Sequence, residues 1–557
     1  MNRALGMLLG LAAALLTSCT GAEPTTPTAR IEVFTADERV PRNTPVTLLW
    51  LAEDAGVHDG MLSCELTRRL DDAPPETTLD TSCTGSLIEV PPAPLTATTV
   101  HYQLKVLKQP YDAGDPYLTD TRSVTLDPAM YAVRAGGTSA VSDEVTVSTL
   151  TDGTAIIAGS FYDTVTFGGT TFTAAGVTRD VFVARVDPDG NWAWATRAGG
   201  SGDDRAFGVS ALADGSVFVT GVYQRTATFG SSTLTSPGNS DAFVARVDPD
   251  GNWLWATGTG GTGTRHGLGV SALADGSAIV TGNFQGSATF GSTTLDSDDF
   301  DAFVARVNPN GTWAWATRAG ATGFVPPYGV STLADGSAII AGQLHGTATF
   351  GATTLTGVGH SDAFVARVDP DGSWAWATQA SGAGGVYGHA VSTLADGSAI
   401  IIGYFEGSAT FGTTTLTSTS NFDTFVARVD PDGSWAWATH AGGSNYTAGY
   451  GITGLADGGA IITGVLAGAA TFGATTLTTG GGRDVFVARV DPVGSWAWAT
   501  RAGGPNLAKA WGISALGDSG AIVTGVFQET ATFGATNLTS AGNEDVFVAR
   551  IGADGAW

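Results

Sequence analysis

From residue 131 onward, apolar and polar positions alternate in short runs, and the same runs return at a fixed interval. Asp-x-Phe-Val-Ala-Arg starts at Asp180, Asp241, Asp301, Asp362, Asp423, Asp484 and Asp545, spaced 61 or 60 residues apart. Strict alternation over four to eight residues predicts half-buried strands, and a repeat of this length predicts an array of like units. One unit reads as a strand from Gly208, an Ala213-Asp-Gly turn, a strand from Ser216 and an excursion from Thr226 to Thr235. A strand from Asp241, an Asp248-Pro-Asp-Gly turn and a strand from Trp253 complete it. That is a four-stranded antiparallel meander with one extra hairpin. Seven such units arranged radially make an all-β, seven-bladed β-propeller over residues 128–557. The last unit stops at Trp557, while Tyr131-Ala-Val-Arg-Ala-Gly-Gly matches Trp194-Ala-Thr-Arg-Ala-Gly-Gly. The N-terminal segment is therefore expected to supply the last blade's fourth strand and close the ring, which removes two sheet edges.

A different pattern occupies residues 30–127. Arg30-Ile-Glu-Val-Phe, Val46-Thr-Leu-Leu-Trp-Leu, Thr99-Val-His-Tyr-Gln-Leu-Lys-Val and Ser123-Val-Thr-Leu alternate between Pro, Asp and Gly punctuation, which predicts a small β-sandwich. Leu48-Leu49-Trp50 and Thr98 to Leu104 resemble the core strands of bacterial Ig-like modules, with His101 as a departure. The resemblance implies a spacer.

The N-terminus adds a location. An apolar run from Ala4 to Leu16 is too short to span a bilayer and reads as a secretion signal over residues 1–18. Leu16-Thr17-Ser18-Cys19 resembles the lipobox of bacterial lipoproteins, and the resemblance implies an acylated Cys19. Thr20 is not the Asp that would favour inner-membrane retention, so the expectation is an exported chain, lipid-anchored at the outer membrane or cell surface, with residues 19–29 as a tether. Cys64 and Cys83 are the remaining cysteines, and in an exported chain they are expected to form a structural disulfide. Closing that loop is worth about 3 kcal/mol in the chain-entropy model.

Composition narrows the partners. The chain has 557 residues, 43% of them apolar, and 52 acidic against 26 basic residues give a net charge of -26. That field repels nucleic acid, so none is expected as a partner. The chain is expected to be a monomer. No phosphate loop, metal-ligand spacing or nucleophile elbow occurs, so neither a cofactor nor a metal is expected.

Asp241 to Arg246, Asp248 to Gly251, and Trp253 with Trp255 resemble the bacterial seven-bladed propeller repeat called SBBP. The resemblance implies the fold and no particular reaction. Ala184, Asp187, Gly190 and Trp194 also resemble the docking motif of quinoprotein-type propellers, which include lipoproteins of outer-membrane assembly.

The repeated Arg185, Arg246, Arg306, Arg367, Arg428, Arg489 and Arg550 suit structural ion pairs with an Asp of the repeat better than an anion-binding ring. The Trp pairs suit packing between units. A ligand less symmetric than the ring needs residues that differ between copies, and these lie in the connections from fourth to first strands. Each ends on Phe207, Leu268, Tyr328, His389, Tyr450 or Trp511, expected to open the innermost strand near the channel mouth. Of these, Phe207, Tyr328, His389, Tyr450 and Trp511 make the candidate ligand site together with His266, Tyr387 and Tyr446, which serves either recognition of a surface protein or glycan, or packing. The functional expectation is a surface binding or scaffolding module without catalysis. An envelope-assembly or quinoprotein-like propeller and a glycan-active enzyme are the alternatives.

Overall fold

The computed structural model describes Met130–Gly137 and Glu144–Trp557 in full, and between residues 28 and 127 the backbone of the strands alone. The chain divides into two compact units, Met1–Ala129 and Met130–Trp557. In the first, Thr28–Phe34, Val46–Glu53 and Thr84–Glu89 form one sheet. Arg39–Pro41, Leu118–Asp127, Thr99–Lys108, Leu62–Leu70 and Thr77–Asp80 form another. Cys19 and Cys83 lie outside the described residues. Of Cys64 only the backbone, in the strand Leu62–Leu70, is described.

The second unit is all β among its described residues. Its second repeat shows the plan: Arg205–Ala211, Val217–Tyr223, Asp241–Val247 and Trp253–Gly258 pair antiparallel in that order, and Thr226–Phe229 with Ser232–Thr235 makes the extra hairpin. We number the repeats 1 to 7 by Asp180, Asp241, Asp301, Asp362, Asp423, Asp484 and Asp545. In repeat 7, Ala508–Ala515, Ala521–Phe527 and Asp545–Ile551 are joined by Ala132–Ala135 from the other end of the chain, paired Val546 to Ala135 and Ala549 to Ala132.

Period-two alternation sends the residues of one strand to two different interfaces. Phe182 and Ala184 are buried in the core shared with repeat 7, beside Val526 and Val546, while Val181 and Val183 are buried with Val217 and Val219 of repeat 2. The first strands also pack side by side from repeat to repeat, and Thr146–Thr149 of repeat 1 lies against both Arg205–Ala211 and Ala508–Ala515.

The tryptophans form the joints. The first of each pair meets a hairpin phenylalanine edge-on, as Trp192 does Phe167 at 5.0 Å. The second reaches the next repeat: Trp194 Nε1 donates to the Pro249 carbonyl at 2.8 Å. Its ring lies where a side chain on Gly251 (φ 89°) would stand, since a Cβ there would fall 2.9 Å from it. Between repeats 7 and 1, Tyr131 fills the same role against Gly190, and Trp192 Nε1 donates to the Arg134 carbonyl at 3.3 Å.

The seven repeated arginines pair as expected, each with the Asp of an Ala-Asp-Gly or equivalent turn: Asp152, Asp214, Asp275, Asp335, Asp396, Asp457 and Asp518. These aspartates are about half exposed, so each pair contributes at most about 1 kcal/mol.

The deeper construction lies at the first residue of the repeated motif. All seven of these aspartates are fully buried. Their carboxylates hold the excursion loop by backbone N–H bonds, as from Ala175 to Asp180 and Thr419 to Asp423. Most also take a basic side chain from the residue seventeen positions on: Arg197 for Asp180, Arg318 for Asp301, the His440 ring for Asp423 and Arg501 for Asp484, with Arg134 serving Asp545. A carboxylate so placed excludes side chains nearby. A Cβ on Gly442 would fall 2.0 Å from the Asp423 carboxyl carbon.

Candidate functional site

The variable position of the first strand is not where the sequence placed it. In repeats 2, 3, 5, 6 and 7 the strand begins two to five residues earlier, and pairing with the second strand skips one residue: Phe207, Leu268, His389, Tyr450 or Trp511. Each is the extra residue of a β-bulge, which re-aims a side chain out of the ladder. In repeat 4, Tyr328 precedes Gly329–Thr332 and follows Pro326 and Pro327, whose missing N–H groups keep the ladder from starting sooner. All six are half-buried, which fits side chains that pack on one side only.

Repeats 4 to 7 turn this row into a contiguous cluster. The His389 ring stacks between Tyr328 (5.4 Å, 20°) and Tyr404 (5.3 Å, 27°), and Tyr450 meets it edge-on at 5.0 Å. Trp511 lies 4.2 Å from Tyr450. Tyr387 stacks on Tyr404 at 4.8 Å, and Tyr446 shares a 2.8 Å hydroxyl hydrogen bond with Tyr450. Phe422 closes the outer side against Tyr404, Tyr387 and Tyr446.

Six of the eight candidate residues are thus brought together: Tyr328, Tyr387, His389, Tyr446, Tyr450 and Trp511. Phe207 and His266 stand apart from these rings. His266 approaches the Ser240 hydroxyl at 3.4 Å, and burial lowers its pKa. Sequence reading missed Tyr404 and Phe422. Both could have been found by comparing columns, since Tyr404 stands where other repeats have Ser160, Val222, Asn283, Gln343, Val465 and Val526.

Two polar atoms in the cluster are enclosed without a partner, His389 Nε2 and Trp511 Nε1. Burial pushes the His389 pKa down to about 4, so its imidazole is neutral at pH 7. Burial also raises Tyr450, with the Tyr446 hydroxyl adding to the effect, so the Tyr450 phenol stays protonated. An enclosed, unsatisfied donor or acceptor costs about 1–3 kcal/mol. The cluster therefore encloses a neutral imidazole and an indole N–H, both against Tyr450 and neither with a hydrogen-bond partner among the described residues. Among the described residues no group of three His, Cys, Asp or Glu could hold a metal ion.

No family model matches the chain, and no curated protein matches it. Among solved structures, a mutant of the Synechocystis apocarotenoid oxygenase aligns with 86% of this chain and 93% of its own at 9% identity and a TM-score of 0.29. An ACO/RPE65 chimera aligns with 80% of this chain and 91% of its own at 10% identity and a TM-score of 0.30. A bacterial ice-binding adhesin structure covers 54% of this chain and 97% of its own at 15% identity and a TM-score of 0.13. The expectation of a binding or scaffolding module without catalysis is withdrawn on this finding: the structures that align with most of the chain are oxygenases by title, hence enzymes. Superposition this loose carries nothing further, and no residue, reaction or cofactor is taken from them. None of it bears on the propeller-repeat resemblance.

Proposed function

We propose that residues 130–557 form a closed seven-bladed propeller whose aromatic and histidine cluster is a catalytic site for proton transfer on a flat, uncharged substrate. Closure is supported by the seventh junction, where Ala132–Ala135 pairs as a fourth strand, Tyr131 packs on Gly190 as Trp194 does on Gly251, and Trp192 donates to Arg134 as Trp253 does to Arg197. The catalytic reading rests on one observation, the neutral His389 imidazole whose Nε2 has no partner inside a stack of rings. Such a base takes a proton from a carbon or oxygen acid lying against the rings: the substrate bond to hydrogen breaks, Nε2–H forms, and the charge moves to a substrate oxygen. The Trp511 N–H is the donor able to meet that oxyanion. Return of the proton to another position completes an isomerisation with no net oxidation.

Exchange of the methylene protons of 2-indanone with D2O, followed by proton NMR, tests this. Wild-type protein should accelerate exchange, and the rate should fall as pH drops through about 4, where His389 gains its proton. His389→Gln should lower the rate by about 100-fold, the lower range for loss of a general base. Trp511→Phe should lower it by about 10-fold, one hydrogen bond's worth. His360→Gln, an exposed residue outside the ring cluster, serves as control. Equal rates in wild type and His389→Gln would sink the reading.

Export and anchoring through an acylated Cys19 are part of the same proposal, supported by the lipobox resemblance. Cys19→Ser should release the protein from membranes, and retention there would exclude the anchor.

A further inference from the structure

Between repeats 5 and 6 a cavity of about 390 Å³ is lined by Glu406, Asn421, Phe422, Asn445, Tyr446 and Arg483, with Ala467 at its floor. Its charges are arranged unusually for this protein. Nearly every other arginine described in full is within ion-pair distance of an aspartate, yet Arg483 has no such partner, and its guanidinium lies over the Tyr446 ring at 5.2 Å. Glu406 accepts the Gly385 N–H at 3.1 Å through Oε1 and forms no ion pair among the described residues. The two opposite charges thus line one cavity without closing on each other. Two amides, Asn421 and Asn445, stand at the same cavity and touch at 3.4 Å.

A cation and an anion held apart across a cavity with an aromatic wall match a ligand carrying both charges. We infer that this cavity is a second site, on the outer side of the proton-transfer cluster and sharing Phe422 and Tyr446 with it, for a zwitterionic aromatic α-amino acid. The ligand carboxylate meets Arg483, where a planar fork suits bidentate pairing. Its ammonium meets Glu406, its remaining hydrogen-bonding groups meet Asn421 and Asn445, and its ring packs on Phe422 and Tyr446. A ligand with no net charge also suits a protein of net charge -26, whose field disfavours plain anions. The volume is within the range of small-molecule sites. Because Tyr446 hydrogen-bonds Tyr450, occupation here touches the His389 cluster through one hydroxyl pair.

Calorimetric titration of the full chain with L-phenylalanine tests the assignment, with phenethylamine and hydrocinnamate as probes lacking one charge each. Saturable binding of L-phenylalanine is expected, with each single-charge probe weaker by about 10-fold or more, the loss of one charge-assisted hydrogen bond. Arg483→Gln should reduce affinity for L-phenylalanine and hydrocinnamate, and Glu406→Gln that for L-phenylalanine and phenethylamine, again by about 10-fold. Both side chains reach solvent, and an unchanged thermal midpoint would show that each variant folds. No saturable binding, equal binding of all three probes, or binding of N-acetylglucosamine in their place would overturn the proposal. His389→Gln should leave this titration unchanged, so failure of the proton-transfer reading and failure of this one are distinguishable.

Discussion

Repeats 2 and 4 treat the same buried carboxylate in opposite ways. In repeat 2 the residue seventeen positions after Asp241 is Gly258, so the usual arginine is gone. Arg265, seven positions further on, replaces it: its Nε and Nη2 both reach Asp241 Oδ1, both side chains are fully buried, and Tyr223 adds its hydroxyl at 3.4 Å. In repeat 4 the corresponding residue is Gln379, whose Nε2 reaches Asp362 Oδ2 at 3.2 Å, and no relocated cation appears. Asp362 Oδ1 is left without a partner, as Oδ1 of Asp180, Asp484 and Asp545 also is, and in repeat 4 Gln379 Oε1 is unpartnered as well. Ser381 stands where the other repeats keep glycine. The fold's requirement is thus a basic side chain at the carboxylate rather than arginine at a fixed place. The one repeat that leaves it unmet leads into the segment carrying His389. Strain tolerated beside a proposed active site fits the general rule that local consistency is relaxed where function is placed.

The largest effect should come from breaking the relocated pair. Arg265→Met leaves Asp241 charged and buried, which costs about 3–5 kcal/mol. A drop in the urea midpoint measures it. The companion Asp241→Leu with Arg265→Met should recover most of that loss, because removing both charges removes the desolvation cost. If the single variant unfolds at the wild-type midpoint, the pair is not what holds repeat 2.

Next comes the position that Arg265 shares with Asp204 of repeat 1. There an acid rather than a base is buried beside the clamp. Asp204 accepts the Gly200 and Gln224 N–H groups, yet burial first, and the charges of Asp180 and Asp203 after it, push its pKa up to about 7. A folded pKa above the unfolded one means the folded chain keeps a proton the unfolded chain has lost, so stability falls as pH rises from 3.8 to about 7. Asp204→Asn should flatten that fall. Urea midpoints taken across this range would show no change in slope if Asp204 were ionised throughout.

Much of this molecule was readable from the chain, and the limits have physical causes. The repeat fixed strands such as Asp241–Val247 because alternation survives copying, and it pointed to the pairs made by Arg185 and its six equivalents. The cationic clamp escaped notice because its column reads Arg197, Gly258, Arg318, Gln379, His440 and Arg501, and tolerance of Arg265 as a substitute hides the rule. The bulges at Phe207, Leu268, His389, Tyr450 and Trp511 were illegible because a bulge is a property of two strands in register. Looking along one strand, these residues read as the start of it. Tyr404 joins the cluster from the second strand of its own repeat, against Tyr387 and His389 of the first, a column that attention to the first-strand positions passed over.

A smaller change should turn repeat 3 into a copy of repeat 4. Arg318→Gln removes the cation from Asp301 while keeping an amide that can donate. Because Arg318 is nearly half exposed, solvent screens the pair, and the cost should be about 1 kcal/mol. A change in urea midpoint as large as that of Arg265→Met would mean that burial of the cation is irrelevant, contrary to the contrast between these repeats.

The gentlest test runs the other way and supplies what repeat 4 lacks. Burial raises the Asp362 pKa, opposed by the backbone N–H groups of Val358, Gly382 and Gly359. By the same linkage as for Asp204, stability is present below the ordinary carboxylate value and is lost as pH rises through the window up to the raised one. Gln379→Arg places a guanidinium where Arg318 and Arg501 stand in their repeats, favours the ionised carboxylate and lowers its pKa. The slope contributed by Asp362 should then shrink without vanishing, since burial keeps Asp484 raised even beside Arg501, with a gain of about 0.5–1 kcal/mol at pH 7, the usual worth of a partly exposed pair. Superimposable stability curves for wild type and Gln379→Arg from about pH 4 to pH 7 would show that Asp362 is already satisfied by its N–H donors. If the gain appears while proton exchange by His389 slows, the missing cation is a concession that repeat 4 makes to the site beside it.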